Sequence, residues 1–398
     1  MSTPAIYIKQ GREKPLRQRH PWVFSGAIQR SDAAPPGAIV DILDYKGSFL
    51  ARGYANPASK LTARALTWDP TETIDSAFWQ RRVDAAIARR RPLLSVDQTA
   101  CRLIMSEADQ LPGLIVDKYG EHLVIQALTA GIDRHIAPIV CALHNALSPL
   151  TISERSDDSV RDLEGLPRIN RLLHGSEAAL NDVLITEQGI NFRIDLEAGH
   201  KTGFYLDQRR NHTIIGSLAA GRKVLDCFSY TGGFTMHAAK GGAASILSVD
   251  ASEPALARLR ENLSANGFAV GDARFQQRAG NAFEVLRDLV QSGERFDLIT
   301  LDPPKFAASG GQVEKAARGY KDLNMLALKL LNPGGMLATF SCSGHISLDL
   351  YQKIVFGAAI DADRNAQITS YLFQADDHPV LLTFPESLYL KGLLCRVL

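Results

Sequence analysis

What this chain lacks narrows its class before any motif is read. No run of about 18 uncharged apolar residues occurs and residues 1–14 are mixed polar, so neither a membrane-spanning nor a signal-peptide pattern is present and a cytoplasmic protein is expected. No CxxC pair occurs among the five cysteines, Cys101, Cys141, Cys227, Cys342 and Cys395. A disulfide framework and a zinc site are therefore not expected, no metal is assigned, and each thiol is either core filler or a reactive centre. Charge of one sign is missing too: 44 Lys and Arg stand against 43 Asp and Glu, and a net +1 names no partner. What remains is an ordinary composition, 45% hydrophobic and 22% charged, in 398 residues, more than one core usually holds, so two or three domains are expected.

Up to about residue 70 the chain is rich in Gly, Pro and short alternating runs. Residues 5–9, 38–44 and 48–54 read as strands, the last two joined by a Tyr45-Lys46-Gly47 turn, and together they suggest a small β-barrel. Lys9, Arg12, Lys14, Arg17, Arg19 and Arg30 face a single acid, Glu13, with His20, Trp22 and Phe24 interleaved. Basic side chains among aromatics hold phosphates and stack bases, although a solvated charged loop has the same composition. Residues 73–94 have helical spacing, and Arg81, Arg82, Arg89, Arg90 and Arg91 are expected to make one face of that helix basic. A hairpin over 113–126, a helix over about 133–147 and further strands fit an α+β module of two hairpins around a helix. The pattern shifts at Glu187-Gln188-Gly189, and beyond about residue 199 strands and helices alternate.

In that second half a strand over 222–226 runs into Cys227-Phe228-Ser229-Tyr230-Thr231-Gly232-Gly233-Phe234 and a helix from Thr235. Glycines there let backbone approach a ligand closely, and the helix N-terminus favours electronegative groups, though the spacing is not GxGxxG. A second strand ends at Asp250, placed to accept hydrogen bonds from ribose hydroxyls. Two more apolar runs stop abruptly, one at Asp302-Pro303-Pro304-Lys305-Phe306 and one at Ser341-Cys342-Ser343-Gly344. Buried parallel strands carry chemistry at such carboxyl ends.

The order Asp226-Cys-Phe-Ser-Tyr-Thr-Gly-Gly-Phe234, Val249-Asp250, Asp302-Pro-Pro-Lys-Phe306, Gly319-Tyr-Lys-Asp322 and Phe340-Ser-Cys-Ser-Gly344 resembles S-adenosylmethionine-dependent RNA methyltransferases. It is most similar to the bacterial 23S ribosomal RNA 5-methylcytosine methyltransferase I family. Lys201-Thr-Gly-Phe-Tyr-Leu-Asp-Gln-Arg209, Ala375-Asp-Asp-His-Pro379 and Tyr389-Leu-Lys-Gly392 extend the likeness over nearly the whole chain. The resemblance implies an α/β protein: a PUA-like RNA-binding domain over 1–70, a central α+β module over 71–186 and a Rossmann-like class I methyltransferase domain over 187–398. It implies S-adenosylmethionine as cofactor, with Tyr205, Gln208, Asp226, Phe228, Ser229, Gly232, Gly233, Phe234, Asp250, Asn281 and Asp302 around it, the loop from Asp226 to Phe234 wrapping the methionine part. Asn281 departs from relatives that carry an acid for the adenine amino group; its side-chain oxygen accepts but is uncharged. The implied partner is 23S ribosomal RNA or a large-subunit assembly intermediate, met by Lys9, Arg12, Lys14, Arg17, Arg19, Trp22 and Lys305.

Cytosine C5 is a poor nucleophile until a thiolate adds at C6. Cys342, at a strand end between two serines, is the candidate nucleophile, and Asp302 the group that binds the base edge at N3 and N4. Without this context each would be a small core residue and a turn cap. The other four cysteines are read as core filler. Some RNA 5-methylcytosine enzymes release product with a second cysteine after their Asp-X-Pro, where this chain has Lys305; His345 and His378 are candidates for the C5 base by residue type only. The nearest rival is methylation of a guanine or an exocyclic amine, which needs no thiol and often has an aromatic directly after the prolines. A non-catalytic ribosome-assembly factor is a second rival, and turnover on purified ribosomal RNA separates it from an enzyme.

Overall fold

The structure, a computed structural model, describes residues 3–197, 202–269, 271–307 and 309–398, so Lys201 of the motif above lies outside the described residues. The chain divides into two compact units, one of residues 1–185, 195–204 and 377–387, the other of residues 186–194, 205–376 and 388–398.

In the first unit β1 (Ala5–Ile8), β2 (Trp22–Val23), β3 (Ile28–Ser31), β4 (Ala38–Leu43), β5 (Phe49–Ala55) and β6 (Ala63–Thr67) form a six-stranded sheet in the order β2-β6-β5-β4-β1-β3. Alternation turns Ile6, Ile8, Val40 and Ile42 into one core with Leu16 and Val23. A second sheet, order β11-β10-β9-β8-β7, is built from β7 (Ala100–Met105), β8 (Leu114–Tyr119), β9 (His122–Ala127), β10 (Thr151–Ser156) and β11 (Ile169–His174). Its β9 and β10 are parallel, and the helices Ala130–Arg134 and Ile136–Leu147 make the crossover that a parallel pair requires. The helix Ser76–Arg90, capped by Asp75 accepting from Phe78 N–H, sends Phe78, Trp79, Val83 and Ile87 into the core shared with Leu103, Val116 and Ile125.

That helix does not carry the continuous basic face its sequence suggested. Arg90 is turned inward and 3% exposed, gripped by both oxygens of Asp109 at 2.7 and 2.5 Å. Arg89 reaches the same carboxylate at 3.0 Å, and Arg81 and Arg82 pair with Glu72. Spacing alone reports which face a residue occupies and misses an acid supplied by another element.

After β12 (Val183–Glu187), within which the division falls, the second unit opens with β13 (Ile190–Ile194). The side-chain oxygens of Asn266 and Asn262 accept from the backbone N–H groups of Asn191 and Arg193, holding β13 against the helix Glu253–Ala265. Its sheet comprises β14 (Lys223–Cys227), β15 (Ser245–Asp250), β16 (Phe275–Ala279), β17 (Phe296–Leu301), β18 (Leu331–Ser341), β19 (Ala366–Phe373) and β20 (Lys391–Val397), in the order β16-β15-β14-β17-β18-β20-β19. The first five strands run parallel and β20 antiparallel. Leu225, Cys227, Ile299, Leu301 and Leu337 are fully buried, as expected where helices cover both faces. Strand order reverses between β14 and β17, and ligands of open α/β sheets bind at that switch point, outside the strands' carboxyl ends. Among the described residues no helix is long and apolar enough to cross a membrane.

Breaking a buried ion pair from one side leaves a bare charge. Asp109→Ala is therefore expected to lower unfolding free energy by about 3–5 kcal/mol in chemical denaturation, because it strands Arg90, whereas Arg89→Ala, half exposed, should cost less than about 1 kcal/mol.

Candidate functional site

The loop after β14 is held in an uncommon conformation. Phe228, Tyr230 and Gly232 have φ of 64°, 48° and 97°, so two residues with side chains occupy the left-handed region. Neighbouring groups hold them there. Val249 O accepts from Ser229 N–H at 3.0 Å, Asp250 Oδ2 from Tyr230 N–H at 2.8 Å, and Ser229 O from Gly232 N–H at 2.8 Å. Asn262 donates to Thr231 O at 2.9 Å. Beneath the loop Asp226 is buried, accepting from the hydroxyls of Thr235 and Thr300 at 2.6 and 2.5 Å. Burial raises its carboxyl from 3.8 to about 6, with the two hydroxyls opposing the rise.

On the side where a Cβ would stand, both glycines of the loop face protein. A Cβ at Gly232 would lie 2.8 Å from Leu259 Cγ and one at Gly233 would lie 2.4 Å from His212 Nε2, so both glycines admit protein neighbours. His212 is one of a buried trio with Glu187 and His237, whose ligand-type atoms all lie within 4.8 Å of one another. Its Nδ1 stands 2.7 Å from Glu187 Oε1, a hydrogen-bond distance; two nitrogen or oxygen ligands on one tetrahedral zinc stand about 3.3 Å apart. Burial alone would raise the Glu187 carboxyl, but the two imidazoles hold it at about 2. Burial lowers the His237 imidazole, so the trio reads as a buried polar group that backs the loop, and sequence spacing gave no sign of it.

Asp250 ends β15 half-buried, its other oxygen accepting from Ser252 N–H at 2.8 Å. Asn281 is exposed and caps the helix Ala282–Gln291, its side-chain oxygen accepting from Phe283 N–H at 2.9 Å. Gln208 is buried, with its Oε1 accepting from Asn211 at 2.6 Å. Phe234 packs into the core, stacked on Phe340 at 5.5 Å and edge-on to His212 at 4.6 Å. Three buried polar atoms, Gln208 Nε2, Ser229 Oγ and Thr231 Oγ1, have no hydrogen-bond partner among the described residues. Buried polar groups are satisfied in native proteins, so donors left open at a switch-point loop fit a polar ligand such as S-adenosylmethionine.

On the other side of the switch point, Asp302 follows β17 with its N–H 3.4 Å from Cys227 O, and Cys342 follows β18 half-buried. Burial raises the Tyr205 hydroxyl well above its ordinary range, and Asp302, Tyr230 and Cys342 add to the effect. Tyr205, the β14 loop, the Asp-Pro-Pro carboxylate and the thiol thus share one electrostatic neighbourhood. The serines flanking the thiol are buried: Ser341 Oγ donates to Tyr320 OH at 3.0 Å, Tyr320 OH meets Ser343 Oγ at 3.1 Å, and Ser343 Oγ accepts from Ala307 N–H at 3.3 Å. Lys391, only 5% exposed, donates to the carbonyls of Ser343 and Ile346 at 2.7 Å each. Tyr320 and Lys391 lay inside motifs the sequence singled out, but nothing in their spacing revealed what they touch. His345 is exposed, and His378, in the other unit, bonds Asp377 at 2.9 Å.

In the first unit Lys9, Arg12, Lys14, Arg17 and Arg19 are exposed, as is Lys305 in the second. Arg12, Trp22 and Phe24 help to line a cavity of about 330 Å³. Trp22 is not an open stacking platform, since its Nε1 donates to Glu107 at 2.8 Å and its ring packs on Phe384 at 4.7 Å; Phe24, 52% exposed, is the more available ring. Cys101, Cys227 and Cys395 are buried as expected of core filler, whereas Cys141 is exposed.

Because Asp226 has its folded pKa raised, its stabilising state is the protonated one, fully present below 3.8 and lost as pH rises through about 6. Asp226→Asn should remove this dependence. The stability difference between wild type and variant, followed by denaturation, is expected to move by about 1–3 kcal/mol between pH 4 and pH 7, in favour of the variant at the higher pH.

Residues 6–68 match the PUA-like domain family and residues 171–358 match the S-adenosylmethionine-dependent methyltransferase family. A solved Streptococcus mutans protein described as an S-adenosylmethionine-dependent methyltransferase superposes with a TM-score of 0.85, covering 99% of this chain and 100% of its own at 22% identity. A methyltransferase solved in complex with S-adenosylhomocysteine gives 0.86 over the same shares at 21% identity. At such identities the likeness is one of fold. Ribosomal RNA large subunit methyltransferase I from Tolumonas auensis is 46% identical over 401 residues, and that of Erwinia tasmaniensis 46% over 398, each match spanning 100% of both chains. With that identity from end to end, and with the glycine loop, Asp250, Asp302 and Cys342 arrayed at one switch point, this chain belongs to the ribosomal RNA large subunit methyltransferase I family and depends on S-adenosylmethionine.

Proposed function

We propose that this protein methylates C5 of a cytosine in 23S ribosomal RNA through a transient bond between Cys342 and C6. The observation that carries the reading is the shared neighbourhood of Cys342, Asp302 and Tyr205 beside the cofactor loop. Cys342 as thiolate gives its electron pair to C6, and the C5–C6 π pair moves onto C5. S-adenosylmethionine supplies the methyl group to C5 and leaves as S-adenosylhomocysteine. Loss of the C5 proton to a base restores the double bond and expels the thiolate. Asp302 holds the base edge at N3 and N4 while charge builds in the ring. The cytosine must leave its stack to reach the thiol, which favours single-stranded or loop sites.

In this reading residues 1–70 form an RNA-binding domain, 71–186 a central module and 187–398 the catalytic domain. Lys9, Arg12, Lys14, Arg17 and Arg19 contact phosphates of the RNA or of an assembling large subunit, with Trp22 and Lys305 adding contacts. Cofactor contacts come from Tyr205, Gln208, Asp226, Phe228, Ser229, Gly232, Gly233, Phe234, Asp250, Asn281 and Asp302. For Gly232 and Gly233 the side-chain space is filled by Leu259 and His212, so the contribution is backbone only.

RNA carrying 5-fluorocytosine at the target tests the chemistry. Once methylated, C5 holds fluorine and methyl and has no proton to lose, so wild-type protein should give a denaturation-resistant adduct that peptide mapping puts on Cys342. Cys342→Ala should give none and lose turnover by at least about a thousandfold, roughly 4 kcal/mol of barrier, while still binding cofactor. Full methylation by that variant would sink the thiol mechanism and favour amino-group chemistry.

The RNA contacts are tested by salt. Replacing Arg17 and Arg19 with Ala should weaken RNA binding and reduce the slope of log affinity against log salt by about one unit per lost contact. An unchanged slope would reduce the segment to a solvated surface.

A further inference from the structure

Lys391 is a buried ammonium. Among the described residues no acid stands within ion-pair distance of it, and its Nζ is held by two carbonyls, Ser343 O and Ile346 O. Charges are rarely buried unless paired, because removing an ion from water costs several kcal/mol even after relaxation. The strand register sets the ammonium beside the thiol's turn: Lys391 on β20 pairs with Ser341 on β18, the residue before Cys342. Burial brings the ammonium down to about 8, and of the charged groups in reach Cys342 alone opposes that fall while Lys305 adds to it. Among the described residues Lys391, Tyr205 and Tyr320 lie within electrostatic reach of Cys342, and Asp302 shares Tyr205's surroundings. Both tyrosine hydroxyls are pushed toward their neutral form by burial. Lys391 is the buried cation of the set.

We propose that Lys391 is a positioning residue for the reaction: its ammonium pins the turn over residues 343–346 and is the counter-charge that keeps Cys342 a thiolate ready to attack. The inference rests on the thiol reading of Cys342 and deepens it. A thiolate at this place answers why a lysine is buried with no acid, since the pair is neutral overall when Cys342 is ionised. After addition to C6 the sulfur is uncharged, and the two carbonyls continue to hold the ammonium, so the same group favours return of the electron pair to sulfur when product leaves. No atom is transferred to or from Lys391.

The test is the pH dependence of iodoacetamide alkylation at Cys342, followed by peptide mapping of the full chain, with exposed Cys141 as the internal reference thiol. Wild-type Cys342 should alkylate with a midpoint at least about one pH unit below that of Cys141, Lys391→Arg should keep it low, and Lys391→Met should bring it to the Cys141 value or above. A purely structural lysine would leave the midpoint where it was. A Lys391→Met midpoint equal to wild type overturns the proposal. So does a wild-type midpoint at or above that of Cys141, which decides the matter should Lys391→Met not fold. The two readings fail separately: a low midpoint with no 5-fluorocytosine adduct removes the C5 chemistry and leaves the ion pair, while an adduct with an unmoved midpoint removes the role of Lys391 alone.

Discussion

The carboxylate of Asp226 is the knot from which the catalytic unit is tied. It sits in β14, takes one hydroxyl from Thr300 in β17 and another from Thr235 in the helix Gly233–Lys240, and Thr235 in turn meets Ser248 in β15 at 2.8 Å. Elements that diverge at the switch point are thereby joined below it, and the crevice above inherits a fixed floor. The cost is a carboxyl that burial disfavours as an ion. Such a group stays in place only because both oxygens have short hydrogen bonds, the condition under which a buried acid is tolerated.

Above the floor, strain and restraint are matched. Left-handed backbone at Phe228 and Tyr230 costs of order 1–3 kcal/mol each and persists where surroundings dictate it. Asp250 supplies part of that restraint by accepting from Tyr230 N–H. The acid expected to read a ribose therefore also shapes the loop that faces the rest of the cofactor, and the two tasks use one side chain. Leu259 and His212 complete the restraint from behind, pressed against the two glycines.

Much of this was legible in the order of residues. Apolar runs ending in Asp250, Asp302 and Cys342 announced parallel strands, and β15, β17 and β18 end at or one residue before those positions. A strand's alternation and a helix's spacing are local, so they reported elements well and partners poorly. Arg90 looked solvent-facing because Asp109 arrives from beyond the helix; Trp22 looked like a stacking ring because Glu107 lies far along the chain. The glycine pair reads as backbone that can approach a ligand, but nothing local tells that the space beside each is filled from two other helices. Tyr320 and Lys391 escaped for the same reason: each reaches the Cys342 turn from a remote segment.

The place of β20 in the sheet bears on how the protein is made. It is the last of the seven strands along the chain, yet it lies between β18 and β19. During synthesis β18 presents an unpaired edge until β20 arrives, and the turn bearing Cys342 lacks its lysine until the same moment. The hydrogen bonds that shape the loop after β14 lie within residues 226–262, all made well before β20, so that loop can settle while the turn after β18 is still unclamped. Of the two walls of the crevice, the one bearing Cys342 is thus secured by the later-made segment.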